Sequence, residues 1–267
     1  MARLSPPHWR KAPPQGRFAD LAVHDRAAGR RTARLNARLI AAELHALSIT
    51  VDCLPVLDLP QPGAHEIIGD RALGRDVETI SELGRAVCEG LLEGGVLPVI
   101  KHIPGHGRAR ADSHLALPVV EDGAEVLRAS DFAPFAALND MPIAMTAHVL
   151  FTAYDRARPA SLSAAVIGQA IRGEIGFDGL LVSDDLSMKA LQGPLAERTR
   201  MAIEAGCDLA LHCNGRLSEM REIAQGAPWL APAGLRRLAR ARSRLSEPNS
   251  IDFKILSAEV EKLVGTA

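Results

Sequence analysis

The chain has 267 residues, 47% hydrophobic and 24% charged, with a formal net charge of −1. That apolar content supplies a packed core and excludes a chain disordered as a whole; the length suits one large α/β domain. The balanced charge argues against nucleic acid or an anionic membrane as the main partner. No run of about 18 apolar residues reads as a membrane span, and the start MARLSPPHWRKAPP lacks the apolar stretch of a secretory signal. A soluble cytoplasmic protein is the expectation.

Residues 1–20 are rich in proline and basic side chains, which predicts no regular element before about Phe18. Over 25–47 apolar residues recur at helical spacing between arginines, predicting an amphipathic helix, followed by the strand-like run SITVDCLPVLDL ending at Asp58. The alternation repeats. A helix over 77–94 precedes GVLPVIKH, one over 124–138 precedes MPIAMTAHV, SLSAAVIGQAIRGEIG precedes FDGLLVSDD, and AERTRMAIEAG precedes CDLALHCN. Short continuous apolar runs are the pattern of strands buried on both faces of a parallel sheet. The C-terminal part (LRRLARARSRL, then LSAEVEKLV) reads as helical with no strong strand. The organisation expected is a Pro-rich segment 1–20, one (β/α) domain over 21–250 and a helical tail over 251–267.

Polar residues stand at the carboxyl end of each strand candidate: Asp58, Lys101 with His102, His148, Asp184 with Asp185, and His212 with Asn214. A TIM-type (β/α)8 barrel gathers strand ends at one mouth, whereas a doubly wound sheet concentrates such groups at a single crevice. The barrel is favoured, although five clear strands fall short of eight. Cys53, Cys88, Cys207 and Cys213 match no zinc spacing or disulfide framework and read as buried free thiols.

The densest chemistry lies in KHIPGHGRARADSH, 101–114, a loop broken from its strand by Pro104, Gly105 and Gly107. Asp112, two residues before His114 in an extended loop, is placed to accept the imidazole N–H and fix its tautomer. Such a histidine gives and takes a proton near neutrality. Of Asp184 and Asp185, adjacent in a strand, one is expected to face the mouth and the other to face the surrounding layer or to cap the next helix before Met188. Trp9 is expected to pack on the barrel exterior. The arginines of LRRLARARSRL read as a solvated face, and the absence of a phosphate loop or dinucleotide fingerprint implies no cofactor.

KHIPGHG, DSH, MTAH and VSDDLSM, in this order on successive strands, closely resemble the bacterial β-N-acetylglucosaminidases of glycoside hydrolase family 3. The resemblance runs from about Leu4 to Asn214. It implies a TIM-type barrel and retaining release of terminal N-acetylglucosamine, by members of this size from muropeptides during cytoplasmic cell-wall recycling. Carried over by position, it implies Asp184 as nucleophile, His114 as acid/base and Asp112 as its dyad partner. Lys101, His102 and Arg71 (in IIGDR) match the residues that hold sugar hydroxyls; His148 matches a mouth residue without a defined role.

The family's first two strands, the second ending in a motif similar to VDQEGGRVQR, precede the point where this sequence begins, with Arg3 matching that motif's last arginine. An incomplete barrel is therefore expected: a fragment from a misplaced start, a truncation stabilised by a partner or by self-association, or a decayed gene product. Two alternatives stand beside the glycosidase. One is a truncated, inactive family member. The other is a metal-dependent hydrolase using His102, His106, His148 and Asp184, already weakened because His102 and His106 flank a Pro-Gly turn rather than sharing a helix face.

Overall fold

The computed structural model describes residues 9–265. Arg3, Leu4 and the first half of the PPHWRK segment lie outside the described residues. Helix α1 spans Gly16–His24, beginning two residues ahead of Phe18, and α2 spans Arg26–His45. Asp25 separates them: its carboxylate accepts from the Ala28 N–H and starts α2. Strand β1 is only Val51–Asp52. The longer strand expected here is interrupted because Pro55 has no N–H to give to a ladder, though the carbonyls of Leu54 and Pro55 still accept from Val99 and Lys101. The chain thus continues alongside its neighbour and delivers Asp58 to the mouth.

Helix α3, Val77–Glu93, is capped by Asp76, which accepts from the Thr79 N–H. Then come β2, Leu97–Ile103, and the two-residue β3, Val119–Val120. The helix expected over 124–138 is split into α4, Ala124–Ala129, and α5, Ala133–Ala137. Pro134 cannot donate to the Ser130 carbonyl, so the winding must restart. Strands β4 (Ile143–Thr146) and β5 (Leu150–Phe151) follow, and β3 and β5 pair as a small parallel ladder that the sequence did not announce. The next helical stretch, Val166–Glu174, is wound with π rather than α pitch; its two glycines, Gly168 and Gly173, ease the change. Strand β6 (Leu180–Asp185), α6 (Leu195–Ala205) and β7 (Leu209–Leu211) complete the alternation; α7 (Leu217–Gly226), α8 (Pro232–Arg242) and α9 (Phe253–Gly265) end it.

Five strands form one parallel sheet in the order β1-β2-β4-β6-β7. Each strand is added on the same side of the last, with no reversal. Right-handed crossovers then put the connecting helices on one face and curl the sheet as a half-barrel; a doubly wound sheet would reverse its order. Alternate residues divide accordingly. Ile100, Ala144 and Leu181 join the main core under the helices, while Leu97, Val99, Ile143, Met145 and Leu180 face the concave side, where Leu238, Ala241 and Leu245 pack on them. Part of the α8 face expected to be solvated is therefore used, and Arg237 and Arg240 pair with Asp178. Trp9 packs against the main core from its edge, and α9 joins α2 through Glu259 and Arg31.

Helices α2 and α3 approach so closely that only glycine fits at 90: a Cβ there would lie 2.3 Å from the Arg34 carbonyl oxygen and 2.8 Å from the Ala37 Cβ. Helix propensity favours Gly90→Ala by about 1 kcal/mol, but overpacking against a backbone costs about 1–3 kcal/mol. Gly90→Ala is therefore expected to lower the midpoint of urea denaturation; an unchanged or raised midpoint would show that α2 yields freely.

Candidate active site

The carboxyl ends of β2 and β6, with the segments after β1 and β7, surround a cavity of about 220 Å³. Lys101, His102, Asp184 and Asp185 line it from the strands, His106, Ser113 and His114 from the loop after β2, and Arg71 from the turn Gly69–Arg71. Met145, Met188 and Leu211 supply apolar wall. All six residues assigned by resemblance except Asp112 thus line one cavity, and Asp112 is hydrogen-bonded to His114, which does.

The pairing register of β2 with β4 slips between Lys101 and Ile103, and the Lys101–His102 peptide is cis. Consecutive side chains there both line the cavity, as a bulge allows and a regular strand does not. Behind them sits Asp58, completely buried. Its Oδ2 is 2.7 Å from His102 Nδ1, and its Oδ1 accepts from the N–H groups of His106 (2.7 Å) and His102 (3.2 Å). Burial pushes the Asp58 carboxyl up, but the His102 imidazole and the His106 N–H outweigh it and hold the group below the usual carboxylate range. An ionised Asp58 accepts a hydrogen bond from His102 Nδ1–H and leaves Nε2 as the nitrogen open to the cavity. In the sequence Asp58 carries no role of its own; its one signal is a single carboxylate closing an apolar run.

Asp184 is half-buried and accepts from the Asp185 N–H at 2.8 Å. Burial opposes its ionisation, yet His102, His148, that N–H and Lys101 together hold it below its ordinary value. Asp185 also reaches the cavity, contrary to the expected division of the pair, because the β6–β7 register shifts between Val182 and Asp185. No helix starts before Met188; Asp185 instead holds a turn, its carboxylate accepting from the N–H and the hydroxyl of Ser187.

Asp112 Oδ1 lies 2.9 Å from His114 Nδ1 and accepts the His114 N–H at 2.8 Å. Burial raises the Asp112 carboxyl, but the His114 N–H and ring together outweigh it and hold the group below its usual range. The tripeptide is not extended, as expected from sequence, but forms a turn in which the Asp112 carbonyl accepts from Leu115 and Ala116. His114 remains 60% exposed, free to meet a ligand entering the mouth. Earlier in the loop, a Cβ on Gly107 would fall 1.9 Å from the Leu59 carbonyl oxygen, so the chain crosses there only as glycine.

The four-ligand metal set is not assembled. His148 is fully buried and does not line the cavity; its Nδ1 is 2.6 Å from Ser161 Oγ, and its Nε2 donates to the Asp185 carbonyl. Among the described residues no three His, Cys, Asp or Glu side chains converge as metal ligands would. His212 is buried beside Asp185 and Glu219 without lining the cavity, and Asn214 turns to Glu219. The thiols split. Cys88 and Cys207 are buried as expected, whereas Cys213 is exposed and Cys53 half-buried, because they follow the two edge strands and no neighbouring strand covers them.

His106 is buried, and burial pulls its ring pKa down to about 4 against the attraction of Asp58. The unfolded chain takes up this proton near pH 6.5 and the folded chain does not until about pH 4. Stability contributed by the neutral ring is therefore complete above pH 6.5 and declines by on the order of 3 kcal/mol as pH falls to 4. His106→Gln is expected to flatten this part of the urea-midpoint profile; a slope equal to wild type would mean that the ring is protonated in the fold.

Residues 13–232 match the model of the glycosyl hydrolase family 3 N-terminal domain. A β-hexosaminidase of Alkalilimnicola ehrlichii is 43% identical over 180 residues, 66% of this chain and 51% of the relative. One of Nitrosospira multiformis is 37% identical over 236 residues, 85% of this chain and 66% of the relative. The chain thus spans between about half and two thirds of the length of these relatives. NagZ from Neisseria gonorrhoeae, solved in complex with N-trifluoroacetyl-D-glucosamine, superposes with a TM-score of 0.83 at 31% identity, covering 95% of this chain and 76% of NagZ. With a parallel half-barrel, a lined mouth and a family match across most of its length, the chain belongs to glycosyl hydrolase family 3.

Proposed function

We propose that this chain is the barrel part of a retaining β-N-acetylglucosaminidase acting on muropeptide-derived glycans during cytoplasmic recycling of peptidoglycan. The observation that carries the reading is that an ionised Asp184 and the Asp112–His114 pair open on the same cavity. No helix among the described residues is long and apolar enough to cross a membrane. We read the curled sheet as part of a TIM-type barrel.

Retention needs a carboxylate nucleophile and a second group that first protonates the leaving oxygen and then activates water. In this reading Asp184 attacks the anomeric carbon as the glycosidic bond breaks. His114 delivers its proton to the departing oxygen; its imidazole then takes a proton from the water that releases the sugar from Asp184. Asp112 holds the ring by Nδ1 and stabilises its charged form, while His102, Lys101 and Arg71 receive the sugar hydroxyls. His102 does so through Nε2, since Asp58 occupies Nδ1.

Hydrolysis of a chromogenic N-acetyl-β-glucosaminide tests this. Asp184→Ala is expected to lower kcat by more than about 10³-fold. His114→Gly is expected to lower kcat/KM by about 10²–10⁴-fold for a sugar aglycone that needs protonation, and little for a dinitrophenyl aglycone that does not. Equal effects on the two aglycones would remove His114 from the acid role; full activity of Asp184→Ala would remove the nucleophile.

A further inference from the structure

We propose that His106 and Ser113 form a latch that sets the pose of the loop carrying Asp112 and His114, making both positioning residues for that dyad. The inference rests on the acid/base reading of His114 given above. The dyad is closed on itself: the Asp112 carboxylate accepts the His114 N–H and faces the His114 imidazole, and both residues belong to one turn. Among the described residues, no side-chain hydrogen bond of that pair reaches beyond it. Arg108 secures the start of the loop through Asp131 at 2.6 Å, four residues before Asp112.

Ser113, between the two dyad residues, is the buried one, 3% exposed beside an exposed His114. Its Oγ lies 3.0 Å from Nε2 of His106, which is equally buried, and its carbonyl accepts from the Ala190 N–H at 3.3 Å. His106 Nδ1 has no hydrogen-bond partner, so the single proton of the neutral ring belongs on Nε2, where Ser113 accepts it. His106 is fixed in turn by its N–H to Asp58, the carboxylate that also orients His102. One hydrogen-bonded chain therefore runs from His102 through Asp58 and His106 to the middle of the dyad tripeptide. Loss of the Ser113 hydroxyl leaves a buried imidazole N–H unsatisfied and removes the only side-chain hydrogen bond from that tripeptide to the preceding part of the loop among the described residues.

The test compares Ser113→Ala, His106→Ala, their double variant and Ser113→Thr in the full chain, with His114→Gly as reference. A misplaced acid should lower kcat/KM for the sugar aglycone by on the order of 10- to 100-fold, with the dinitrophenyl aglycone changed by less than about twofold. The double variant should be no worse than the worse single one, and Ser113→Thr, which keeps the hydroxyl, should restore the rate. Trypsin cleavage after the exposed Arg110 should accelerate in Ser113→Ala, a readout independent of turnover. Equal losses on both aglycones, or unchanged cleavage at Arg110, overturn the latch. A His114→Gly variant indifferent to leaving group overturns the dyad reading itself; one that is sensitive, beside an indifferent Ser113→Ala, overturns the latch alone.

Discussion

Asp58 is an ionised carboxylate with no exposed surface, and the mouth of the half-barrel is arranged around it. Removing a carboxylate from water costs several kcal/mol unless donors replace the solvent. Here the His102 ring and two backbone N–H groups do so. The N–H donors belong to His102 and His106, so one group fixes the bulged end of β2, the tautomer of His102 and the first turn of the following loop. The cavity keeps its shape because this buried charge must keep its partners.

The sheet supplies the rest of the arrangement. Strands added in one direction bring their carboxyl ends to one rim, where residues far apart in sequence share a wall. Regular strands would alternate their side chains in and out. At β2 and β6 a register shift lets adjacent residues reach the cavity, giving Lys101 with His102 and Asp184 with Asp185. The positive and imidazole groups around Asp184 offset its burial and hold its carboxyl below the usual range.

The loop divides its labour by exposure. His106 and Ser113 are buried and hydrogen-bonded to each other, while His114 faces the mouth. A side chain on a loop can approach a bound ligand, and anchoring that loop from its buried side limits where it approaches. Histidines of one short segment therefore sit differently: His102 is held by Asp58, His106 is bonded to Ser113 and, through its N–H, to Asp58, and His114 is held by Asp112.

Much of this was legible in the chain. Apolar runs alternating with amphipathic segments determine a parallel α/β sheet, because burial on both faces demands such runs. Polar residues closing those runs mark the mouth, and the Asp112–His114 pairing follows from a two-residue spacing. These are local features. What tertiary structure decided were matters of register and neighbour: that Pro55 would interrupt the first strand, that Pro134 would divide a helix, and that both Asp184 and Asp185 would reach the cavity. It also decided that His106 would be buried and His148 removed from the cavity, and that Asp58 would become the hub. A buried charge is placed by donors arriving from other strands, and no periodicity within its own segment records which donors those are.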